Sequence, residues 1–271
     1  MVEKNASRPK SCYLNEKLVL KSIVTEKLAL KWSPEQIAGW LKRMYPNNRE
    51  MHISHETIYK SLFIQARGLL KKELSAHLRS KRMMRRPKNA KIDRAPRGQI
   101  IDGLSIRQRP AEVEDRAIPG HWEGDLLSGS KNTHIATLVE RHSRYTLLVK
   151  LRGKDAISVG SALREKILTL PSALRGTLTW DRGMELARHK QLTIDTNVQV
   201  YFCDPQSPWQ RGTNENTNRL IRQYFPKGTD LSGFSEDYLD NIALMLNQRP
   251  RKTLGFLTPT EKLNQVVAMT D

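Results

Sequence analysis

The segment His121-Trp122-Glu123-Gly124-Asp125-Leu126-Leu127 decides the fold, because it reads as a β-strand that carries two acidic residues. Two more strand-like segments follow at 134–140 and 145–151, separated by polar turns and loops. Three consecutive strands of this kind predict a meander. Side chains alternate between the faces of a strand, so Glu123 and Asp125 are expected on the same face.

Helices and strands alternate after the meander. The predicted helices cover 155–168, 184–195, 213–224 and 236–246, and the predicted strands cover 177–180 and 198–202. A meander followed by such alternation is typical of an α/β domain with a mixed sheet covered by helices. We therefore predict one such domain over 119–271, with a helix near its C-terminus.

Upstream of the sheet, residues 1–78 are predicted to form a helical domain. The stretch 15–30 has an apolar stripe typical of a helix, and Ser33 and Ser54 are N-cap residues for helices over 34–44 and 55–63. These two helices resemble a helix-turn-helix with a longer connection than the standard motif. A three-helix bundle without DNA contact is the alternative, but the surrounding positive charge favours DNA binding.

Charge is the strongest compositional signal. The chain has 46 Lys and Arg against 28 Asp and Glu, a net charge of +18. Residues 1–118 hold 26 basic against 12 acidic residues, whereas residues 119–271 hold 20 against 16. This balance predicts a polyanionic partner, with nucleic acid favoured over a membrane surface. A generic basic protein, such as a ribosomal component, is the alternative.

The connection between the two domains, residues 79–118, is predicted to be a basic linker. Its first part, 79–98, has nine basic residues and the single acid Asp93. Runs of this kind bind nucleic-acid backbone without reading sequence. The residues expected to contact DNA here are Arg79, Lys81, Arg82, Arg85, Arg86 and Lys88.

No apolar run approaches the length of roughly 18 residues that a membrane span needs, and the N-terminus lacks the apolar core of a secretion signal. The two cysteines, Cys12 and Cys203, are far apart and lack metal-ligand spacing. We therefore expect a cytoplasmic protein without a disulfide framework, a zinc site or a membrane partner.

Two further acidic residues occupy positions suited to chemistry. Asp181 directly follows the strand 177–180, and Glu215 lies in the first turn of the helix 213–224. Carboxylates from two strands and a helix can converge on hard divalent cations such as Mg²⁺. Each acid also has a structural interpretation, with Asp181 as a turn residue and Glu215 as the i+4 partner of Arg219. Periodicity leaves the choice between Glu123 and Asp125 open.

Five motifs resemble those of the insertion-sequence-30 transposases, a family of the ribonuclease-H-like DDE superfamily. The resemblance covers about residues 30–265, and the longest motif is highly specific. The motifs are Gly-His-Trp-Glu-Gly-Asp at 120–125, Thr-Leu-Val-Glu-Arg at 137–141, Thr-Trp-Asp-Arg-Gly-Met-Glu at 179–185, Asp-Pro-Gln-Ser-Pro-Trp-Gln-Arg-Gly-Thr-Asn-Glu-Asn-Thr-Asn at 204–218, and Asn-Gln-Arg-Pro-Arg-Lys-Thr-Leu at 247–254.

The resemblance implies that Asp125, Asp181 and Glu215 are the catalytic, metal-binding triad, and it selects Asp125 over Glu123. It also implies a ribonuclease-H-like fold and two Mg²⁺ or Mn²⁺ ions in each active site. The implied reaction cleaves the ends of an insertion element and joins the freed 3′-hydroxyl to target DNA. The resemblance further implies that the partner is double-stranded DNA and that the protein assembles on it as a homo-oligomer. It also implies a bacterial protein associated with the nucleoid.

Five residues near Glu215 are weaker candidates for DNA contact. Trp209, Gln210 and Arg211 precede its helix, where they can instead position that helix. Arg219 and Arg222 follow Glu215 by one and about two turns, and surface salt bridges are their structural alternative. They complete the set of expected DNA contacts.

The chain departs from the family pattern in two places. A further helix-turn-helix region is usual upstream in the family, and this chain begins at or just inside the end of that region, so we expect a truncated copy. Gln206 stands where many relatives have His. A truncated copy can act instead as a non-catalytic, DNA-binding regulator of transposition. A nuclease of the same superfamily is a third alternative, which the specific motif at 204–218 disfavours.

Overall fold

The computed structural model describes residues 13–64, 100, 102–114, 116–205 and 207–270. They form two compact units. The smaller unit contains the described residues up to 64 together with Pro250–Leu257, and the larger contains those from 100 to 249 and from 258 onward. Within these ranges, no helix is both long enough and apolar enough to cross a membrane.

The smaller unit is helical, as predicted. Its helices are α1 (Tyr13–Glu16), α2 (Leu18–Ala29), α3 (Pro34–Met44) and α4 (His55–Ile64). Ser33 forms a complete capping box with Gln36 at the start of α3, and the Ser54 hydroxyl accepts a hydrogen bond of 3.1 Å from the backbone N–H of Thr57 in α4. The predicted single helix over 15–30 is wrong, because Lys17 leaves helical geometry and separates α1 from α2.

The segment Pro250–Leu257 packs within the smaller unit, which the sequence did not indicate. The side-chain Nε2 of Gln36 donates a hydrogen bond of 2.8 Å to the carbonyl oxygen of Pro250. The ring of Phe256 occupies the space that a side chain at Gly39 would need. Gly39 therefore permits a close approach between α3 and this segment.

The larger unit contains, among the described residues, a six-stranded mixed sheet. Its strands are β1 (Leu104–Ser105), β2 (His121–Ser128), β3 (His134–Glu140), β4 (Thr146–Lys150), β5 (Thr177–Trp180) and β6 (Gln199–Phe202). The order across the sheet is β1-β6-β5-β2-β3-β4. The antiparallel pairs β2–β3 and β3–β4 confirm the predicted meander, and the remaining neighbours are parallel.

Helices cover both faces of this sheet. On one face, α5 (Ala156–Leu168) and α6 (His189–Thr196) share an apolar core with Trp122. On the other face, α7 (Gly212–Ile221) and α8 (Glu236–Asn247) share a second core with β2, β3 and β4. A last helix, α9 (Pro259–Thr270), belongs to the same unit.

Two predicted elements of the larger unit differ from the structure. The segment 184–195 is a 3₁₀ turn followed by α6 rather than one helix, and the break lets Leu186 and Leu192 enter the same core. Residues 104–105, predicted as linker, form β1, because their backbone pairs with the open edge of β6. Local patterning cannot reveal such edge pairing, since the partner lies almost a hundred positions away.

Candidate active site

Asp125 and Asp181 approach each other because they occupy matching positions on neighbouring parallel strands. β2 and β5 pair in a register that sets Glu123 opposite Thr179, and each aspartate stands two residues further along its chain. Asp181 directly follows the last residue of β5, at the strand end where open α/β sheets place ligands. The convergence of the two acids thus follows from strand register.

Arg211 lies between the two aspartates. Its Nη1 atom is 3.1 Å from Oδ1 of Asp125, and its Nη2 atom is 3.5 Å from Oδ2 of Asp181. Nη1 also donates a hydrogen bond of 2.9 Å to the carbonyl oxygen of Gly124. We call this arrangement of Asp125, Arg211 and Asp181 the Asp–Arg–Asp bridge. It turns one oxygen of each carboxylate toward a shared cation.

The other oxygen of each aspartate has an uncharged partner. Asn218 donates a hydrogen bond of 3.0 Å from Nδ2 to Oδ2 of Asp125. The backbone N–H of Gly183 donates one of 2.9 Å to Oδ1 of Asp181. These bonds orient the carboxylates independently of Arg211.

Burial and nearby charges have opposing effects on the pKa of Asp125 and on that of Arg211. Burial raises the pKa of Asp125, Arg211 opposes that rise, and the nearby charge of Asp181 adds to it. Burial also disfavours the charged form of Arg211, but attraction to Asp125 and Asp181 holds the pKa of its guanidinium above the usual value. Arg211 therefore counters part of the effect that burial has on the pKa of Asp125.

Glu215 stands apart from this bridge. It lies in the first turn of α7, its side chain is 52% exposed, and its Oε1 accepts a hydrogen bond of 2.7 Å from Arg219. Across the described residues, no three or more His, Cys, Asp and Glu side chains form a group that could hold a metal ion. The structure thus brings Asp125 and Asp181 together and turns Glu215 to a separate ion pair.

Glu123 has a different environment from Asp125, although both project from the same face of β2. Its side chain is fully buried, and its Oε1 lies 3.1 Å from Nη1 of Arg141. Its Oε2 accepts a hydrogen bond of 3.0 Å from the backbone N–H of Asn214. Both oxygens of the Glu123 carboxylate are therefore bound by fixed protein groups. This environment distinguishes Glu123 from Asp125, a choice that strand periodicity left open.

Asn214 is a positioning residue that sequence reasoning missed. Its buried Nδ2 donates hydrogen bonds to the carbonyl oxygens of Glu123 and Thr137 at 2.8 and 3.1 Å, and its Oδ1 accepts one of 3.1 Å from the Thr137 hydroxyl. These bonds hold the first turn of α7 against β2 and β3. The spacing of Asn214 and Asn218, one turn apart on the same side of the helix, was the available signal.

A cavity of about 560 Å³ opens beside the bridge. Its walls include both aspartates as well as Lys154 and Glu185. Nε1 of Trp180 donates a hydrogen bond of 3.4 Å to Glu185, which fixes that acid near the carboxyl end of β5. The mixture of acidic and basic walls suits a charged ligand.

The predicted DNA-contact residues have varied surroundings. Trp209 is 72% exposed, and Arg219 is engaged by Glu215. Arg222 donates hydrogen bonds to the carbonyl oxygens of Ser128 and Phe225 at 2.9 and 3.4 Å. Six other predicted contacts lie outside the described residues: Arg79, Lys81, Arg82, Arg85, Arg86 and Lys88.

Residues 115–208 match the family model of the integrase core domain. The matched stretch contains β2 to β6 and both aspartates, and it ends before Arg211 and Glu215. With the mixed sheet and the preceding helices, this match confirms the predicted ribonuclease-H-like α/β fold class. The catalytic core domain of BIV integrase, a solved structure, is 20% identical and covers 56% of this chain and 99% of its own, with a TM-score of 0.43.

Three curated relatives are similar over most of this chain. The transposase InsI for insertion sequence element IS30A of Escherichia coli (strain K12) is 55% identical over 98% of this chain and 70% of its own length. The transposase for IS1086 of Cupriavidus metallidurans is 51% identical over 92% of this chain and 74% of its own. The transposase for IS4351 of Bacteroides fragilis is 37% identical over 87% and 70%.

Proposed function

We propose that this chain, which belongs to the IS30 family of transposases, cleaves the ends of an insertion element and joins the freed 3′-hydroxyl to target DNA. Membership in the family and the integrase core imply a polynucleotidyl transferase. The proposal goes further by assigning the reaction to Asp125, Asp181 and Glu215. The observation that carries it is the Asp–Arg–Asp bridge, which joins two carboxylates of the integrase core around one cationic group.

The oxygens of the Asp–Arg–Asp bridge also suit a divalent metal. Each aspartate turns one oxygen toward a common positive charge, and hard cations such as Mg²⁺ or Mn²⁺ prefer carboxylate oxygens. The donor set therefore fits, with Asp125 and Asp181 as the first two ligands. When bound, a pair of such ions activates the attacking hydroxyl and stabilises the leaving oxygen of a phosphodiester.

Glu215 is proposed as the third ligand. It is held near the sheet because Asn214, its neighbour in α7, is bonded to β2 and β3. Its own carboxylate is exposed and paired with Arg219, and exposed i,i+4 pairs contribute only about 0.3–0.5 kcal/mol. Turning the side chain away from Arg219 therefore has a small energetic cost.

A DNA partner agrees with the positive net charge of the chain. A net charge of +18 and the basic run at 79–98 provide many phosphate contacts that do not depend on sequence. Assembly of a homo-oligomer on double-stranded DNA, and a cytoplasmic, nucleoid-associated location, remain predictions.

The test is a cleavage assay with the whole chain, Mg²⁺ or Mn²⁺, and labelled DNA that carries element ends. We expect wild type to nick or join the DNA in a metal-dependent manner. Asp181→Ala should lower the rate by more than about 100-fold, since even indirect partners of metal ligands are worth 10–100-fold. Asp195→Ala, which removes an acid paired with Arg164 on the opposite face of the sheet, is the matched control and should cleave normally. Equal rates for Asp181→Ala and wild type would refute the assignment.

A second candidate function is a DNA-binding regulator that does not cleave. The separation of Glu215 from the bridge favours it, because three gathered carboxylates are what the chemistry needs. DNA binding by wild type without metal-dependent cleavage would support this candidate over the first.

A further inference from the structure

The two oxygens that contact Arg211 differ from the other two oxygens of the same carboxylates. Asp125 Oδ2 and Asp181 Oδ1 each accept a hydrogen bond from an uncharged N–H group, of Asn218 and Gly183 respectively. Asp125 Oδ1 and Asp181 Oδ2 instead face the guanidinium, at 3.1 and 3.5 Å. The carboxylates are thus oriented by neutral donors and joined by a cationic one.

A divalent cation shared by the two aspartates would compete with Arg211 for the oxygens that face it, since the other two oxygens each already accept a hydrogen bond. Magnesium–oxygen bonds are about 2.0–2.1 Å long, much shorter than the ion-pair distances in the bridge. A guanidinium and a divalent cation in the same position would also repel each other strongly. Binding of one at these oxygens therefore disfavours binding of the other.

We propose that Arg211 is an internal counter-ion that competes with the divalent cation for Asp125 Oδ1 and Asp181 Oδ2, so that metal entry requires Arg211 to leave the bridge. This inference rests on the proposed function only in taking Asp125 and Asp181 as metal ligands. The role of Arg211 is that of a positioning residue, because it holds the two carboxylates side by side until a cation replaces it.

Replacement of Arg211 by a metal ion also affects helix α7, because of where Arg211 lies in the chain. Arg211 is the last residue of the 3₁₀ turn Pro208–Arg211 and the N-cap of α7, one turn before Glu215. Its Nη1 atom is tied to β2 through the carbonyl oxygen of Gly124. Release of Arg211 therefore removes one tether between β2 and the N-cap of the helix that carries the proposed third ligand, while the hydrogen bonds of Asn214 keep its first turn on the sheet.

The test measures Mn²⁺ binding to the whole chain without DNA, by electron paramagnetic resonance of free Mn²⁺ and by thermal unfolding. We expect Arg211→Gln to bind Mn²⁺ at least about fivefold more tightly than wild type, the lower end of typical coupling between two ligands. Without metal, the same variant should unfold at a lower temperature, because its two aspartates repel each other unscreened. Added Mn²⁺ should then raise its Tm more than it raises that of wild type.

Two further variants make the result specific. Arg211→Lys keeps the charge but lacks the forked group that reaches both carboxylates, so its Mn²⁺ affinity should lie between those of wild type and Arg211→Gln. Arg182→Gln removes a charge next to Asp181 that is bonded to the carbonyl oxygen of Cys203 rather than to a carboxylate. Its effect on Mn²⁺ affinity should be less than twofold.

Unchanged or weaker Mn²⁺ binding by Arg211→Gln would overturn the competition, as would an equal gain in Arg182→Gln. Asp181→Asn separates this failure from failure of the proposed function. If Asp181→Asn loses Mn²⁺ binding while Arg211→Gln gains none, the aspartates are ligands and Arg211 does not compete. If Asp181→Asn binds Mn²⁺ as wild type does, the metal site itself is wrong, and the competition falls with it.

Discussion

Two acids on the same face of β2 form similar ion pairs in different surroundings. Glu123 is fully buried and pairs with Arg141, whose side chain is 3% exposed. Two residues later on the same face, Asp125 is 31% exposed and pairs with Arg211, whose side chain is 13% exposed. The first pair is enclosed by protein, and the second lies at the wall of a cavity.

This comparison separates a structural acid from a chemical one. The Glu123 carboxylate uses both oxygens on partners that hold strands and helix together, namely Arg141 and the backbone N–H of Asn214. The Asp125 carboxylate uses one oxygen on Asn218, turns the other toward Arg211 and itself lines the cavity. A carboxylate suited to metal binding needs such a replaceable partner.

The largest effect on stability is expected at the buried acid, Glu123. Glu123→Ala removes the nearer partner of the buried Arg141 guanidinium and leaves it only the more distant Glu114 at 4.0 Å, and breaking a buried pair in this way costs about 3–5 kcal/mol. Urea unfolding monitored by circular dichroism should show a loss of this size. The matched variant Asp125→Ala should change the free energy of unfolding by no more than about 1 kcal/mol while it abolishes DNA cleavage. Similar losses of stability in both variants would remove the distinction between the two acids.

A smaller effect on stability is expected at Gly124, which lies between Glu123 and Asp125 in β2. A β-carbon there would lie 2.2 Å from the ring of Trp180, whose side chain is fully buried. Gly124→Ala should therefore lower the free energy of unfolding by about 1–3 kcal/mol. Gly160→Ala is the control, because no atom lies within 4 Å of its β-carbon and it lies within α5. That change should stabilise the protein by about 0.5–1 kcal/mol. The opposite order of the two variants would show that the strand can yield at Gly124.

The smallest effect is expected at Arg219, which forms an exposed pair with Glu215. Both side chains are more than half exposed, so water and salt screen the pair. Arg219→Gln should change the free energy of unfolding by no more than about 0.5 kcal/mol, as measured by thermal unfolding at low and high salt. A loss comparable to that of Glu123→Ala would mean that Glu215 is held far more firmly than its exposure indicates.

Much of the fold could be predicted from local sequence. Strands β3 and β5 and helix α3 have the predicted bounds, because short runs of apolar and β-branched residues, a capping box and a helix-starting proline act over a few positions. The predictions failed where a distant partner or a local break decides the outcome. Lys17 interrupts one predicted helix, and the pairing of Leu104–Ser105 with β6 turns predicted linker into strand.

The sequence by itself determined the family, the meander, the helical N-terminal unit and the candidate acids, since each is encoded in contiguous motifs. The tertiary structure alone decided which acid on β2 is enclosed and which faces the cavity. It also decided that Arg211 joins Asp125 to Asp181, and that Glu215 turns toward Arg219. The physical reason is distance along the chain: Arg211 and Gly124 are 87 positions apart. Their meeting depends on strand register and on the docking of α7, which no local pattern specifies.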